Sequence, residues 1–173
     1  KFIEAKNKIF DEDERKFTKF LINIETKTTT DNLEKIIDIN NQHEKKDRID
    51  GWVFGRVDYT LSCGLKRDDI NESDIVTNAV VDVSKKAKEN DLELVVGGAI
   101  SLDALGILKK IKEVKLNRFE TRKIIFSKDA LDLSNLEKGM LEAVNFELLW
   151  LKNKKNYYGS IFEEDDKRIK MLS

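Results

Sequence analysis

Two acidic residues, Glu25 and Asp58, stand at or just after apolar runs that have the composition of β-strands: FLINIE at 20 to 25 and WVFGRV at 52 to 57. If the two strands are parallel neighbours, their carboxyl ends lie at one edge of a sheet, about 5 Å apart. Carboxylates at that spacing repel each other unless a proton or cation lies between them. Mg²⁺ or Mn²⁺ commonly takes one or two carboxylates and leaves its other positions to water and an anionic substrate. Acidic residues also end strands because loops are solvated, and spacing alone favours that alternative.

The elements that would position these carboxylates alternate between strand and helix. Two further strands are predicted, LELVVGG at 92 to 98 and RFETRKIIF at 118 to 126. Helical patterns come after the strands at NLEKIIDI, at about 73 to 90, at SLDALGILKKIK and at about 134 to 154. Residues 2 to 19 predict a surface helix and the last residues a short terminal helix. Strands alternating with helices indicate βαβ units, so the fold class is α/β with a parallel sheet and right-handed crossovers.

The segments around the two carboxylates resemble the HpcH/HpaI aldolase and citrate lyase β family. In that family a strand ending in I-E-T precedes a segment of the type G-φ-φ-φ-G-R/P-φ-D-φ-(S/T), where φ is apolar. This chain has INIETKTTTDNLEKI followed by IDGWVFGRVDYTLSCG, and the likeness continues through VVGGAIS and RFETRKIIFS. The resemblance implies a (β/α)8 TIM barrel, of which this chain would be a partial barrel covering about strands 5 to 8. Residues 1 to 173 are then one partial TIM-barrel domain with a helical extension from about residue 134.

The resemblance also implies a chemistry and a set of residues. Glu25 and Asp58 would hold Mg²⁺ or Mn²⁺, and Gly55, Arg56, Val57 and Asp58 would bind the substrate, the last three through backbone amides to its carboxylate. The expected activity is that of a carbon–carbon lyase or aldolase acting on a 2-oxo acid or related acyl substrate through a metal-stabilised enolate. The catalytic base is unknown and is expected in the first half of the barrel, which this chain lacks. We expect the complete protein to be a homo-oligomer.

Three more residues have two interpretations each. Gly97 and Gly98 resemble the anion-holding loop of a barrel, or serve the turn that leads to a helix capped by Ser101. Arg122 is predicted to pair with Glu120 inside the barrel, because residues two apart on a strand share a face. Near the metal, Arg122 would instead hold a substrate anion.

Composition narrows the function classes. The chain has 32 basic and 33 acidic residues, so no excess charge favours nucleic acid as a partner. Its longest apolar runs are shorter than the roughly 20 residues of a membrane span. Cys63 is the single cysteine, which fits the reducing cytoplasm. The main alternative to a lyase is a non-catalytic half-barrel fragment or subunit that needs a partner segment to complete the fold.

Overall fold

The computed structural model describes residues 1–172, and the fold in this range is α/β. One five-stranded sheet has the order β1-β2-β3-β4-β5, in which β1 to β4 are parallel and β5 is antiparallel to β4. The strands are β1 (Leu21–Ile24), β2 (Gly51–Gly55), β3 (Glu93–Gly97), β4 (Arg118–Glu120) and β5 (Ile125–Ser127). The helices are α1 (Phe2–Ile9), α2 (Glu12–Phe17), α3 (Lys27–Asp31), α4 (Leu33–Asn41), α5 (Arg56–Ser62), α6 (Asp74–Glu89), α7 (Leu105–Lys112) and α8 (Leu136–Leu172).

The core lies on one face of this sheet, here called the helix face. Its side chains align across the strands in two rows, because the paired residues are in register. The rows are Ile22, Trp52 and Leu94, then Ile24, Phe54, Val96 and Phe119. All of them except Ile22 are fully buried, and α6 contacts both β2 and β3. Crossovers of one hand between strands in sequential order place every connecting helix on the same face.

The opposite face, here called the site face, carries the alternate residues of the same strands. Its middle row is Asn23, Val53, Val95 and Arg118. Asn23 is exposed, Val53 and Arg118 are half-buried and Val95 is buried, whereas the helix-face rows are buried except at Ile22. At the amino end, Glu93 pairs with both Lys19 and Arg118, the latter at 2.7 Å. The site face is therefore more polar than the helix face, and its carboxyl edge is where the candidate site lies.

The predicted fourth strand is wrong in its length. Residues 118 to 126 form two short strands joined by a reversal at residues 121–124. The Thr121 hydroxyl accepts a hydrogen bond from the Ile124 amide at 3.1 Å, and the Thr121 amide donates to the Ile124 carbonyl at 2.9 Å. The rings of Phe119 and Phe126 stack across the hairpin with centroids 5.0 Å apart. A threonine turn without glycine, proline or asparagine gives little signal in sequence.

The helix predictions at the two ends of the chain are also corrected. The expected helix over residues 2 to 19 is two helices, because Asp11 and Glu14 form a capping box with both hydrogen bonds at 2.9 Å and restart the chain there. The two helices expected near the carboxyl end are one continuous helix, α8, which runs through Gly159. Between residues 1 and 172, no helix combines the length and apolar character that a bilayer crossing requires.

We expect the helix face to dominate stability. Leu94 is fully buried, so Leu94→Ala should lower the free energy of unfolding by about 2–5 kcal/mol. Leu133 is 58% exposed, and Leu133→Ala is the matched control with an expected change within about 0.5 kcal/mol. Urea unfolding followed by circular dichroism measures both, and equal losses for the two variants would contradict this placement of the core.

Candidate functional site

Four residues form the last row of the site face at the carboxyl edge: Glu25, Gly55, Gly97 and Glu120. Gly55 pairs with Gly97, and the registers of the neighbouring strands place Glu25 beside the first glycine and Glu120 beside the second. A Cβ on Gly55 would lie 2.8 Å from Glu25 Oε2, and one on Gly97 would lie 3.1 Å from Glu120 Oε1. The two carboxylates therefore lean inward over backbone that has no side chains.

Glu25 is positioned by the turn into α3 and by a neighbour on its own strand. Thr26 is extended and caps α3, with its hydroxyl accepting from the Thr29 amide at 3.1 Å. The next residue, Lys27, donates its amide to Ser62 Oγ at 2.8 Å, which ties this loop to the end of α5. Asn23, two residues earlier on the same face, donates its side-chain amide to Glu25 Oε2 at 3.3 Å. Glu25 is half-buried and faces the space above Gly55.

Asp58 reaches the same space from a different element than the one predicted. The strand β2 ends at Gly55, which is also the residue preceding α5, so Asp58 lies in the first turn of a helix and not on a strand end. Asp58 Oδ2 lies 3.7 Å from the position that a Cβ on Gly55 would take, and Glu25 Oε2 lies 2.8 Å from the same position. The two carboxylate oxygens are therefore at most about 6.5 Å apart, which is the sum of these distances. The structure brings the two predicted carboxylates together.

An open cavity of about 620 Å³ lies above this row. Of the eight residues that the sequence analysis gave as candidate metal or substrate ligands, seven line it: Glu25, Gly55, Val57, Asp58, Gly97, Gly98 and Arg122. The ionisable lining consists of four carboxylates and two guanidiniums, namely Glu25, Asp58, Glu120, Glu147, Arg67 and Arg122. The excess of carboxylates gives the cavity a negative potential, which favours a cation.

The side chain of Arg56 does not line the cavity. It is buried under the turn at residues 67–70, where its Nη2 donates to the Ile70 carbonyl at 3.1 Å and to the Asn71 side chain. Burial lowers the pKa of Arg56 to about 10, and its Nε and Nη1 atoms have no hydrogen-bond partner among the described residues. Any contact of Arg56 with a ligand in the cavity would have to use its backbone.

Gly98 packs directly on the start of α5. It has a φ of 86°, a conformation that favours glycine, and a Cβ there would lie 2.7 Å from the Val57 nitrogen and 2.9 Å from the Arg56 nitrogen. Glycine is therefore required here by both conformation and space. Ser101 precedes the 3₁₀ turn at Leu102–Ala104, but its side chain makes no capping hydrogen bond, so the predicted cap is wrong.

The predicted pairing of Arg122 with Glu120 is not seen. Arg122 lies in the reversal between β4 and β5, beyond the end of the strand, and its Nε lies 3.9 Å from Oε1 of Glu147 on α8. Glu147 and Val144 line the cavity, and sequence reasoning missed both because they come from a helix far along the chain. Asn23 was also missed, although its spacing of two from Glu25 was a usable signal.

The donor set fits a hard divalent cation. Two carboxylate oxygens on one Mg²⁺ at about 2.1 Å each are at most about 4.2 Å apart, so an ion shared by Glu25 and Asp58 requires their oxygens to lie within that distance. Among residues 1–172 there is no group of three or more His, Cys, Asp or Glu side chains arranged to hold a metal. Two protein carboxylates with the remaining positions left to water and substrate are, however, a common arrangement for Mg²⁺.

No family model, curated protein or solved structure matches this chain.

The close approach of Glu25 to Gly55 predicts a specific cost. Gly55→Ala should lower the free energy of unfolding by about 1–3 kcal/mol, because the new Cβ overpacks against the Glu25 side chain. The same substitution in a Glu25→Gly background should cost clearly less, since both the Oε2 atom at 2.8 Å and the Cβ atom at 3.0 Å from the new Cβ are gone. Gly106→Ala is the control, because a Cβ there meets nothing within 4 Å and alanine favours the helix. Equal costs in the two backgrounds would contradict the described contact.

Proposed function

We propose that this chain carries the metal site of a divalent-metal-dependent carbon–carbon lyase or aldolase that acts on a 2-oxo acid or related acyl substrate. The observation that carries the proposal is the meeting of Glu25 and Asp58 above Gly55, in a cavity with excess negative charge. Glu25 directly follows β1, and Asp58 lies in the first turn of α5, which directly follows β2. Both carboxylates therefore lie at the carboxyl edge of the sheet, where α/β enzymes place their working groups.

Glu25 and Asp58 would hold Mg²⁺ or Mn²⁺. When bound, such an ion supplies a Lewis acid that stabilises negative charge developing on the oxo oxygen of the substrate. The carboxylate of the substrate would lie near the start of α5. There Gly98, which has no side chain, does not cover the backbone nitrogens of Arg56 and Val57. Arg122 lines the same cavity and would offer its guanidinium to a second anionic group. No residue of the cavity is assigned as the catalytic base.

The sequential parallel order of β1 to β4 supports the finer interpretation of the fold as part of a (β/α)8 barrel. In such a barrel every crossover helix lies outside and the other face of the sheet lines the interior. The polar site face and the buried helix face have this division. Closure of the barrel would require the outer edge of β4, which β5 occupies in this chain. The proposal therefore includes displacement of β5 whenever additional strands close the sheet.

Metal binding is the direct test. The wild-type chain should bind Mn²⁺, seen as loss of the electron paramagnetic resonance signal of the free ion. Glu25→Gln and Asp58→Asn each keep the side-chain size but remove the charge, and each should weaken binding at least about tenfold. Glu72→Gln is the control, because Glu72 is exposed and does not line the cavity. Binding that survives both cavity substitutions would defeat the proposed site.

The chemistry has its own readout. Exchange of the methyl protons of pyruvate with D₂O, followed by nuclear magnetic resonance with and without Mn²⁺, reports formation of the enolate. We expect metal-dependent exchange in a protein that contains all the strands of the barrel, and its loss on Glu25→Gln. Absence of exchange in that protein under conditions where Mn²⁺ binds would reject the lyase assignment while leaving the metal site intact.

The alternative candidate is a non-catalytic half that associates with a partner segment. Exposure of Asn23 and partial exposure of Val53 favour it, because these residues would line the interior of a completed barrel. Metal-dependent proton exchange by this chain alone would exclude that alternative. Binding of a hydrophobic dye by this chain, without any exchange activity, would favour it.

A further inference from the structure

The last two thirds of α8, from Leu148 to Leu172, contain no buried side chain. Every residue from Leu148 to Leu172 is exposed except Asp166, which is half-buried. The buried residues of α8 all lie in its first turns, at Leu136, Met140 and Ala143. Most of the stability of helices in proteins comes from packing of an apolar face, and Gly159 lowers the helix propensity of this segment further. This segment therefore calls for a packing partner.

The pattern of apolar residues identifies the kind of partner. From 148 to 172, eight positions recur with alternating spacings of three and four, which is the heptad repeat of a coiled coil over about three and a half heptads. Six of these positions are large and apolar: Leu148, Leu151, Tyr158, Phe162, Ile169 and Leu172. Their exposed fractions range from 47% at Leu148 to 76% at Leu172. The stripe has the width and length of a coiled-coil seam.

The two remaining positions of the stripe are Lys155 and Asp165, which have opposite charges. They lie five residues on either side of Ser160. Reversal of the stripe about Ser160 also exchanges Leu151 with Ile169 and Tyr158 with Phe162. The stripe is thus complementary to its own antiparallel copy, layer by layer.

We propose that α8 pairs with α8 of a second copy of this chain in an antiparallel coiled coil centred on Ser160. In this pairing each Lys155 faces Asp165 of the second copy. All the remaining layers from residue 148 to residue 172 join two apolar side chains. A parallel, in-register pair would instead place Lys155 against Lys155 and Asp165 against Asp165 within the core, where unpaired charge is costly. The two charged layers therefore select the antiparallel orientation.

The positions beside the seam agree in part with this register. Lys152 faces Asp166 of the second copy, and Ile161 faces its own copy at the twofold axis. Lys154 faces Arg168, a like-charged pair at the exposed flank where solvent and salt screen it. The favourable core layers outweigh this one repulsive flank, because desolvated layers contribute more than exposed ion pairs.

Sedimentation equilibrium of the full chain tests the proposal. The wild type should be a dimer. Lys155→Asp puts acidic residues opposite each other in two layers and should weaken dimerisation at least tenfold, whereas the double variant K155D/D165K should restore it. Lys167→Asp is the matched control, because it makes the same charge change on the outward side of the helix. A monomeric wild type, or a dimer that K155D does not weaken, would overturn the proposal.

Orientation has a separate test in a Cys63→Ser background. Chains with Lys155→Cys and chains with Asp165→Cys, when mixed, should be joined by a short thiol-reactive cross-linker, and neither variant alone should cross-link to itself. Efficient self-linking of K155C would show a parallel pair and overturn the antiparallel register. Both readouts are independent of metal binding, so they can fail while the proposed lyase site stands.

Discussion

The structure depends on burial of one face of a parallel sheet. Trp52, Phe54, Leu94, Val96 and Phe119 leave water only if helices cover them, and crossovers of one hand in sequential order bring all the covering helices to that side. The crossover helices therefore leave the opposite face uncovered, and only Val144 and Glu147 of α8 reach the described cavity from a long helix. The cavity lies at the carboxyl edge of this uncovered face, where the charged side chains remain in contact with solvent.

Local sequence predicted much of this arrangement. Branched and aromatic runs located β1, β2 and β3, and the periodic segment at 73 to 90 located α6, because these signals arise within a few residues of each other. Glu25 and Asp58 were expected to lie at one edge of the sheet, and both line the cavity at its carboxyl edge. The element that holds Asp58 was not foreseen, because nothing in WVFGRVD marks the point where an extended chain turns directly into a helix after Gly55.

The parts that could not be predicted depend on contacts between distant residues. Glu147 lines the cavity from α8, and its interaction with Arg122 requires the chain reversal after β4. That reversal contains no glycine or proline from which it could be predicted. The burial of the Arg56 side chain beneath residues 67–70 is likewise a tertiary effect, since an arginine is normally expected in solvent. The capping box at Asp11, in contrast, could have been predicted from local sequence, because the D-x-x-E pattern of Asp11 and Glu14 is present there.

The glycines at 55 and 97 also bear on the entropy of ligand binding. Between Glu25 and Glu120 the floor of the cavity is main chain alone, fixed by pairing between β2 and β3. Such a surface has no rotamers to immobilise when a small molecule settles on it, whereas each ordered long side chain costs about 0.5–1.5 kcal/mol. This part of the cavity floor is therefore rigid, and the side chains that can move lie around it, among them those of Asn23, Glu25, Asp58 and Arg122.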